Sequence, residues 1–349
     1  MKAWVLYGIN DFRYCETAEP EPSNNEVIVK VERAGICGSD IPRIYENGAH
    51  NMPLITGHEF SGRVVRIGRN AEKKWYGKRV GVFPLIPCRD CFCCRRRSYE
   101  MCRGYSYLGS SKNGGFAEFA AVPEWNLIAL PDEVGFEEAA MLEPVTVAVH
   151  AIRRIQPLPS ESVVIYGLGT IGLLLTMLLV EKGIQNLFII GNKDIQKKQA
   201  LKMGIPESCY CDSRQQSIEG WVLSHTEGAG ADVLYECVGK SENIAQTIDL
   251  AAPGGRICMV GNPCLDILLD KNIYWKILRR QLTITGTWNS SFTGDINDDW
   301  HYAMKKLQEK KIAPADIITH RYPMKEMEKG FHIMRDKTED YIKIMMVQE

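Results

Sequence analysis

A glycine-rich turn that links a buried strand to a helix constrains this fold more than any other feature of the sequence. The run reads G-x-G-x-x-G, directly follows the apolar stretch Ser162–Tyr166, and opens a helical stretch over residues 170–182. In that context the first glycine allows a tight turn, the second lets the backbone approach a pyrophosphate, and the third lets helix and strand pack closely. The helix N-terminus adds amide donors and the positive end of a dipole. The candidate cofactor-binding residues are Gly167, Leu168, Gly169, Thr170, Ile171 and Gly172, and the alternative is a glycine-rich turn without a ligand.

The sequence after this turn predicts a parallel sheet. Strand-like and helical stretches alternate there, which is typical of βαβ units. Further strands are predicted at 187–190, 231–237, 256–261 and 282–286, and a further helix at 194–203. Residues 149–286 are therefore expected to form a dinucleotide-binding domain.

The N-terminal part of the chain has a different character, with short strands separated by glycines. Residues 26–33 alternate apolar and polar side chains, as a half-buried strand does, and residues 60–67 and 79–83 are similar. This pattern predicts a compact β-rich barrel or sandwich. An amphipathic helix at 298–311 and a closing strand at 341–347 are expected to return to it, so that residues 1–148 and 287–349 make one discontinuous domain.

Composition and charge exclude several classes of protein. The 349 residues suggest two or three domains, and 42 Lys+Arg against 43 Asp+Glu leave no basic excess for binding nucleic acid. No stretch approaches the roughly 18 consecutive apolar residues that would span a bilayer. The N-terminus lacks the apolar core and cleavage site of a signal peptide. We therefore expect a cytoplasmic protein with neither a nucleic acid nor a membrane as its partner.

The end of the second predicted strand bears on the type of dinucleotide. A carboxylate about 20 residues beyond the glycine run normally binds the ribose 2′-hydroxyl of NAD. Here the strand ends in Gly191, Asn192 and Lys193, without an acidic residue at its tip. Gly191 leaves room for a 2′-phosphate and Lys193 could pair with it, which favours NADP. The alternative is that Asp194, slightly displaced, serves NAD.

Four cysteines in one loop predict a structural zinc site. Cys88, Cys91, Cys94 and Cys102 lie within residues 86–104, and four thiolates close a tetrahedral shell that leaves no position for a substrate. The neighbouring Cys93 is interpreted as a bystander, although spacing alone allows it to replace Cys94. An iron–sulfur cluster is an alternative, but the usual fourth spacing and the following proline are missing.

A second set of ligand-type residues lies in the β-rich part and just before the dinucleotide domain. Taken singly, none of these residues indicates a metal site: they are Cys37, the adjacent His58 and Glu59, and Glu143. Together with a dinucleotide site they suggest an open zinc site, with a thiolate, an imidazole, carboxylates and one position left for a substrate.

With these motifs in this order, the chain resembles the zinc-dependent medium-chain dehydrogenases over essentially its whole length. The resemblance implies a GroES-like β-barrel catalytic domain, a Rossmann domain with a doubly wound parallel sheet, and a cleft between them. It also implies that Cys37, His58 and Glu59 bind catalytic zinc, and that Glu143 is a further ligand that can exchange with water or substrate. Ser39 matches the hydroxyl that relays the substrate's proton. Many members carry a histidine three residues later, where this chain has Pro42.

Within the family, the resemblance is greatest to the polyol dehydrogenase branch, including its members that act on galactitol 1-phosphate. Residues 37–62 carry this likeness, as does the segment 286–289 with Trp288 and Asn289, which are candidate substrate contacts. The expected reaction is zinc-assisted hydride transfer from a secondary hydroxyl of a polyol or polyol phosphate to NAD or NADP, giving a ketose or ketose phosphate. A phosphorylated substrate needs a cation, for which Arg43 is the candidate, and an ordinary surface arginine is the alternative.

Other interpretations remain open from the sequence. A sorbitol, threonine or other secondary-alcohol dehydrogenase could use the same scaffold. A non-catalytic zinc-binding protein that keeps a nucleotide fold, or a nucleic-acid binder using the arginines near Cys94, would belong to other classes. The resemblance further implies two zinc ions per chain and a homodimer or homotetramer.

Overall fold

The computed structural model describes residues 1–348, which form two compact units. The first comprises Met1–Thr146 together with the chain from Ser290 onward, and the second comprises Val147–Asn289. The strands are β1 (Lys2–Gly8), β2 (Asp11–Glu16), β3 (Glu26–Ile36), β4 (Leu54–Ile55), β5 (Glu59–Ile67), β6 (Arg79–Val82), β7 (Leu85–Ile86), β8 (Ser106–Tyr107), β9 (Phe119–Pro123), β10 (Leu127–Ala129), β11 (Ser162–Tyr166), β12 (Asn186–Gly191), β13 (Tyr210–Asp212), β14 (Ala231–Glu236), β15 (Ala251–Met259), β16 (Thr283–Gly286), β17 (Ile318–Pro323) and β18 (Lys343–Val347). The α-helices are α1 (Asp40–Pro42), α2 (Phe92–Arg95), α3 (Phe136–Ala140), α4 (Leu142–Ile155), α5 (Thr170–Glu181), α6 (Asp194–Lys202), α7 (Ile218–His225), α8 (Ser241–Leu250), α9 (Lys271–Arg279), α10 (Asp299–Gln308) and α11 (Met327–Asp336).

The first unit is built around the long strand β3. On one side β3 pairs antiparallel with β5, and on the other its first half pairs with β9 and its last residues with β18. The resulting sheet has the order β10-β6-β5-β3-β18-β17, with β9 alongside β3. Alternate side chains of β3 point into a core that includes Phe116 and Phe331, because successive side chains of a strand face opposite sides.

The second unit is a six-stranded parallel sheet in the order β13-β12-β11-β14-β15-β16. Its central strands β11, β12 and β14 are apolar along most of their length, because helices cover both faces of such a sheet, whereas the edge strand β16 is largely exposed. Val164, Ile190, Leu234 and Ile257 are buried in one of its core clusters. The strand order reverses between β11 and β14, which is the point where ligands bind in doubly wound folds. The predicted α/β fold class with a parallel sheet is confirmed.

Most predicted elements differ from the structure by one or two residues at an end, and the strand predicted at 256–261 is β15, which begins five residues earlier and ends two residues earlier. Two further differences have a clear physical reason. β3 continues to Ile36, three residues beyond the predicted strand, because β18 supplies a pairing partner that the local pattern does not reveal. The predicted amphipathic helix at 298–311 is α10, which ends at Gln308. Its N-terminus matches the prediction because the Asp298 side chain accepts a hydrogen bond from the His301 N–H and caps the helix. Within residues 1–348, no helix combines the length and apolar character that crossing a bilayer requires.

Candidate functional site

Three ligand-type side chains converge where β3 and β5 lie side by side. Gly35 of β3 is paired with Glu59, the first residue of β5, so Cys37 just beyond β3 comes to lie beside His58 and Glu59. One ligand atom from each of these three residues lies within 4.8 Å of the other two. His58 and Glu59 are buried and Cys37 is half-buried. A thiolate, an imidazole and a carboxylate leave a tetrahedral metal one open position, which is the arrangement of catalytic zinc sites.

The Asp40 carboxylate contacts two of these residues, Cys37 and His58, and helps to orient them. Its buried carboxylate accepts a hydrogen bond from the Cys37 N–H over 3.0 Å and one from Arg43 over 2.8 Å. The same carboxylate lies 3.7 Å from Nδ1 of His58, a buried nitrogen that has no hydrogen-bond partner. Burial lowers the pKa of His58, but the negative charges of Asp40, Cys37 and Glu143 outweigh it and raise the pKa to about 10. The site therefore strongly favours a positive charge, as a site for a metal cation should.

A buried lysine faces the opposite side of Glu59. Lys343, the first residue of β18, pairs with the Glu59 carboxylate and donates to the Ile36 carbonyl oxygen over 3.0 Å. Burial lowers the pKa of Lys343, but the charges of Glu59 and Cys37 prevail and raise the pKa overall. Gly35 packs against this pair, because a Cβ at that position would overlap the Glu59 carboxylate and lie 2.8 Å from Cε of Lys343. The pair holds Glu59 in place beside Cys37.

Glu143 lies next to the three convergent residues without joining the set whose ligand atoms are within 4.8 Å. Glu143 is the second residue of α4, and its Oε1 accepts a hydrogen bond of 3.1 Å from the Tyr107 hydroxyl. Burial raises the pKa of Glu143 to about 7, against the lowering effect of His58. The Tyr107 ring meets the His58 ring edge-on, with centroids 5.7 Å apart. Ser39 is partly exposed in the turn that carries Cys37.

The glycine run forms a strand–turn–helix junction in the second unit. Gly167 has a φ of 98°, which favours glycine, and a Cβ there would lie 2.5 Å from Cγ2 of Val238. A Cβ at Gly172 would overlap the Gly167 carbonyl oxygen, whereas one at Gly169 would meet nothing within 4 Å. The backbone at Gly169 is therefore open to a ligand, as a pyrophosphate site requires. The other three predicted residues belong to the same junction: Leu168 is buried in the turn, and Thr170 and Ile171 begin α5.

The tip of β12 places Gly191, Asn192 and Lys193 in sequence at the carboxyl edge of the sheet. A Cβ at Gly191 would lie 2.6 Å from the Tyr210 hydroxyl, so no acidic side chain fits there without a shift. The Asn192 N–H donates to Gln196 over 3.0 Å.

Sequence reasoning did not identify a second cation at this edge. Arg214, just beyond β13, contacts Asp194 at 2.5 Å and Asp212 at 2.6 Å. Arg214 follows β13, whereas Lys193 follows β12. The two strands are neighbours in the sheet but not in the sequence, so no local motif links the two residues.

The four cysteines of the long loop meet as a cluster. Their sulfur atoms lie within 4.8 Å of one another, with Sγ of Cys88 and Cys94 at 3.8 Å and Sγ of Cys91 and Cys102 at 3.9 Å. The edge of a tetrahedron with Zn–S bonds of about 2.3 Å is about 3.8 Å, so these separations suit a shared zinc ion and exclude disulfides. Backbone N–H groups of Arg103 and then Cys94 lower the pKa of Cys91 to about 6, which favours its thiolate, whereas burial raises the pKa of Cys94 to about 12. Four thiolates would therefore need the positive charge of a metal ion. Cys93 is not among the four.

The candidate substrate contacts have different surroundings. The Arg43 side chain is 17% exposed and pairs with Asp40, so it is neither an ordinary surface arginine nor wholly available to a phosphate. Trp288 is 56% exposed in the second unit, and Asn289 follows it with a φ of 57°.

Three residues of the first site were not predicted from the sequence as functional: Asp40, Tyr107 and Lys343. Asp40 follows Cys37 closely enough for its proximity to be read from the motif. Tyr107 and Lys343 carry no local signal, because only the fold brings them to Glu143 and Glu59.

Comparisons with known proteins agree with this architecture. Residues 23–132 match the family described as "Alcohol dehydrogenase GroES-like domain", and residues 137–347 match "Glucose dehydrogenase C-terminus". The first match confirms the GroES-like fold that the resemblance implied for the N-terminal part.

Several relatives are similar over most of their length. The galactitol 1-phosphate 5-dehydrogenase of Escherichia coli K12 is 33% identical over 88% of this chain and 89% of its own. The sorbitol dehydrogenase of Halalkalibacterium halodurans is 30% identical over 99% of each chain. A crystal structure of galactitol-1-phosphate dehydrogenase from Escherichia coli superimposes with a TM-score of 0.91, at 30% identity, over 99% of this chain and 100% of that one.

Proposed function

The chain belongs to the zinc-dependent medium-chain dehydrogenases, and from that premise we propose that it oxidises a secondary hydroxyl of a polyol or polyol phosphate. The observation that carries the proposal is the convergence of Cys37, His58 and Glu59 in a buried, anion-rich site. Galactitol 1-phosphate, oxidised to a ketose phosphate, is the substrate we favour. Similarity to the Escherichia coli enzyme across both units supports it.

Cys37, His58 and Glu59 would hold the catalytic zinc, with Glu143 as an exchangeable further ligand. The unpartnered Nδ1 of buried His58 and the mixed sulfur, nitrogen and oxygen donors suit that ion. Cys88, Cys91, Cys94 and Cys102 would hold a second, structural zinc.

The chemistry follows from the residues around the open position. Zinc bound there supplies Lewis-acid chemistry, which lowers the pKa of a hydroxyl group by several units. Ser39 takes the proton of the substrate's hydroxyl. Bound NAD or NADP would supply the hydride acceptor, so that loss of this proton and of a hydride from the carbon that carries the hydroxyl turns the alcohol into a ketone. Because Pro42 offers no titratable group for a longer relay, water or a cofactor hydroxyl continues the proton's path from Ser39.

Metal content and site-specific variants test the two roles. Wild-type protein should contain two zinc ions per chain. Cys37→Ser should lose one ion and all turnover while its melting temperature stays within a few degrees. Cys91→Ser should lose the other ion and melt at a markedly lower temperature. A Cys37→Ser variant that retains turnover would contradict the catalytic assignment.

We propose NADP as the preferred cofactor. Tight packing against Tyr210 leaves no room for a carboxylate at Gly191, and Lys193 follows at the same strand end. Wild-type protein should therefore show a higher kcat/KM with NADP than with NAD, and Lys193→Ala should reduce this ratio. Preference for NAD that Lys193→Ala leaves unchanged would end this assignment.

A substrate panel decides between the favoured polyol phosphate and the alternatives. Absorbance of the reduced cofactor should rise fastest with galactitol 1-phosphate, and more slowly with sorbitol or threonine. Arg43 is the proposed phosphate contact, so Arg43→Gln should raise KM for the phosphorylated substrate more than for sorbitol. A faster rate with sorbitol would favour the second candidate, a sorbitol dehydrogenase, which the 30% identical relative supports.

We also propose that two copies of the chain associate through the second unit. β16 is an edge strand of the parallel sheet, and large exposed apolar side chains are frequent in residues 265–288, which include it. They are Leu265, Ile267, Leu268, Leu269, Tyr274, Trp275, Leu278, Ile284 and Trp288. Pairing of two β16 strands about a two-fold axis would satisfy the edge and cover these side chains. Light scattering should give the mass of a dimer or a larger even assembly for wild type, and the mass of a single chain for Trp275→Glu/Ile284→Lys.

A further inference from the structure

A buried carboxylate at the switch point of the parallel sheet has no place in the chemistry described so far. Glu236 is the last residue of β14 and is completely buried. Its Oε1 accepts hydrogen bonds from the N–H groups of Val238 at 2.8 Å and Gly239 at 2.9 Å, and Gly239 also reaches Oε2 at 3.1 Å. Within residues 1–348, these two N–H groups are the only hydrogen-bond partners of the Glu236 carboxylate, and no cation pairs with it. Burial raises the pKa of Glu236, against the lowering effect of the Gly239 and Val238 N–H groups.

The backbone of Glu236 fixes a second loop at the same edge. Its carbonyl oxygen accepts hydrogen bonds from Val260 at 2.9 Å and Gly261 at 2.8 Å, just beyond β15. The two loops interlock, because a Cβ at Gly261 would overlap the Gly239 nitrogen and lie 2.7 Å from Oε2 of Glu236. One residue thus holds the chain segments that leave β14 and β15.

The first of these loops forms a wall of the glycine-rich turn. The Cys237 N–H donates to the Tyr166 carbonyl oxygen over 2.9 Å, and Val238 packs so closely on Gly167 that a Cβ there would lie 2.5 Å from its Cγ2. The Glu236 carboxylate fixes Val238 by its N–H, so it sets the position of this wall relative to the turn.

The topology indicates which part of a dinucleotide meets the wall. In such sheets the pyrophosphate lies at the first strand–helix turn, and the adenosine ribose lies at the end of the next strand, here β12. The other half of the ligand must extend across the switch point, over β14 and β15. We propose that Glu236 is a positioning residue that holds the loops after β14 and β15 in the shape that receives the nicotinamide half of the cofactor. This inference rests on the proposed dehydrogenase function.

A glutamine at this position keeps the size of the side chain and removes one of its acceptor oxygens. The amide NH₂ group then faces backbone N–H groups that need an acceptor, so the two loops should lose their fixed positions. Losing a hydrogen bond to a charged group at this site should weaken dinucleotide binding about tenfold or more. Binding of the adenosine half should change less than about twofold, because β12 and the glycine turn are untouched.

Calorimetric titration of the full-length protein tests this proposal. NADP and NAD serve as the complete ligands, and 2′,5′-ADP and 5′-AMP as the adenosine halves. The matched control is Glu161→Gln, because Glu161 lies before β11 at the opposite edge, where it accepts from the Leu158 N–H at 2.8 Å and pairs with Arg256. For Glu236→Gln, we expect a selective loss of dinucleotide affinity and a rise in KM for the cofactor that exceeds any fall in kcat. Glu161→Gln should leave both affinities as in the wild type.

The remaining outcomes distinguish this inference from its premise. Unchanged dinucleotide affinity in Glu236→Gln would overturn it, and so would an equal loss for both kinds of ligand, which would mean a general structural role. Should Glu236→Gln not fold, Glu236→Asp asks the same question, because it keeps the charge and draws the carboxylate back from the N–H groups of Val238 and Gly239. A loss confined to the dinucleotide upholds the inference, and unchanged affinities overturn it. Wild-type protein that binds neither dinucleotide would instead overturn the proposed function.

Discussion

Replacing Lys343 with methionine would measure how firmly the ligand-type residue Glu59 is held. Both side chains of this ion pair are 2% exposed, and the ammonium group also donates to the Ile36 carbonyl oxygen at 3.0 Å. Methionine keeps an unbranched stem of similar length and removes the charge. Glu59 is then left as a carboxylate without a counter-charge in a site that already contains Cys37 and Glu143.

The expected magnitude follows from the burial of the pair. Removing one partner of a buried ion pair costs about 3–5 kcal/mol, because the remaining charge has lost its solvation without compensation. In a domain of about 150–250 residues, each kcal/mol shifts the melting temperature by about 2–4 °C. Lys343→Met should therefore lower the melting temperature of the first unit by roughly 6–20 °C. Adding Glu59→Gln removes the stranded charge and should restore most of this loss.

Scanning calorimetry with a chelator in the buffer is the appropriate assay, because a bound metal would supply a substitute positive charge. The second unit provides an internal reference, since its transition should not move. Lys329→Met is the matched control: Lys329 pairs with Glu326 at 2.6 Å but is 63% exposed, and surface pairs contribute only about 0–1 kcal/mol. If Lys343→Met shifts the transition no further than Lys329→Met does, the reasoning about a buried pair is wrong.

Three other substitutions give independent tests. Asp298 accepts a hydrogen bond from the His301 ring, which raises the pKa of His301 and lowers that of Asp298. His301→Gln should therefore lower the melting temperature most below about pH 6, and the difference from the wild type should shrink as the pH rises through the raised pKa of His301; a difference that does not depend on pH would contradict this coupling. Gly172→Ala should weaken dinucleotide binding by about tenfold or more in a calorimetric titration, because the new Cβ overlaps the Gly167 carbonyl oxygen; unchanged affinity would contradict the tight turn. Asn126→Leu should destabilise the first unit by about 2–3 kcal/mol in calorimetry, because it removes the side-chain donor of two buried carbonyl oxygens, those of Phe83 just beyond β6 and of Leu85 in β7; a loss below about 0.5 kcal/mol would contradict this role.

The parts of the fold that could be predicted from the sequence depend on local patterns. Ser162–Tyr166 is both the predicted strand and β11, because a short apolar run that ends in a glycine turn determines its own conformation. The dinucleotide turn is similar, since its own backbone requires two of the glycines: Gly167 has a φ of 98°, and a Cβ at Gly172 would overlap the Gly167 carbonyl oxygen. Gly169 is the position that an approaching ligand requires. Such features need no knowledge of distant chain segments.

Contacts between distant segments could not be predicted. Lys343 and Glu59 are separated by 284 positions, and they meet only because β18 pairs with β3 in the register that sets Ile344 opposite Ile36. A shift of that register by one residue would turn the Lys343 side chain to the other face of the sheet. The sequence pattern of β18 predicts a strand but not its partner. A lysine at the start of a strand is ordinarily exposed to solvent, so nothing in the sequence predicts that Lys343 is buried.

The choice between Cys93 and Cys94 depends on local structure, as the glycine turn does, but it could not be predicted from the sequence. Spacing alone allowed either cysteine to complete the set, because both follow Cys91 closely in a loop without a periodic pattern. The structure forms a short helix from Phe92, and successive side chains of a helix point about 100° apart, so only one of two neighbours can face the cluster. Cys94 is that residue, since it is 4% exposed and its sulfur lies 3.8 Å from that of Cys88. A single helical turn therefore decides which thiol can reach a metal. A helix of four residues is too short to show a helical periodicity in the sequence, so this choice could not be predicted.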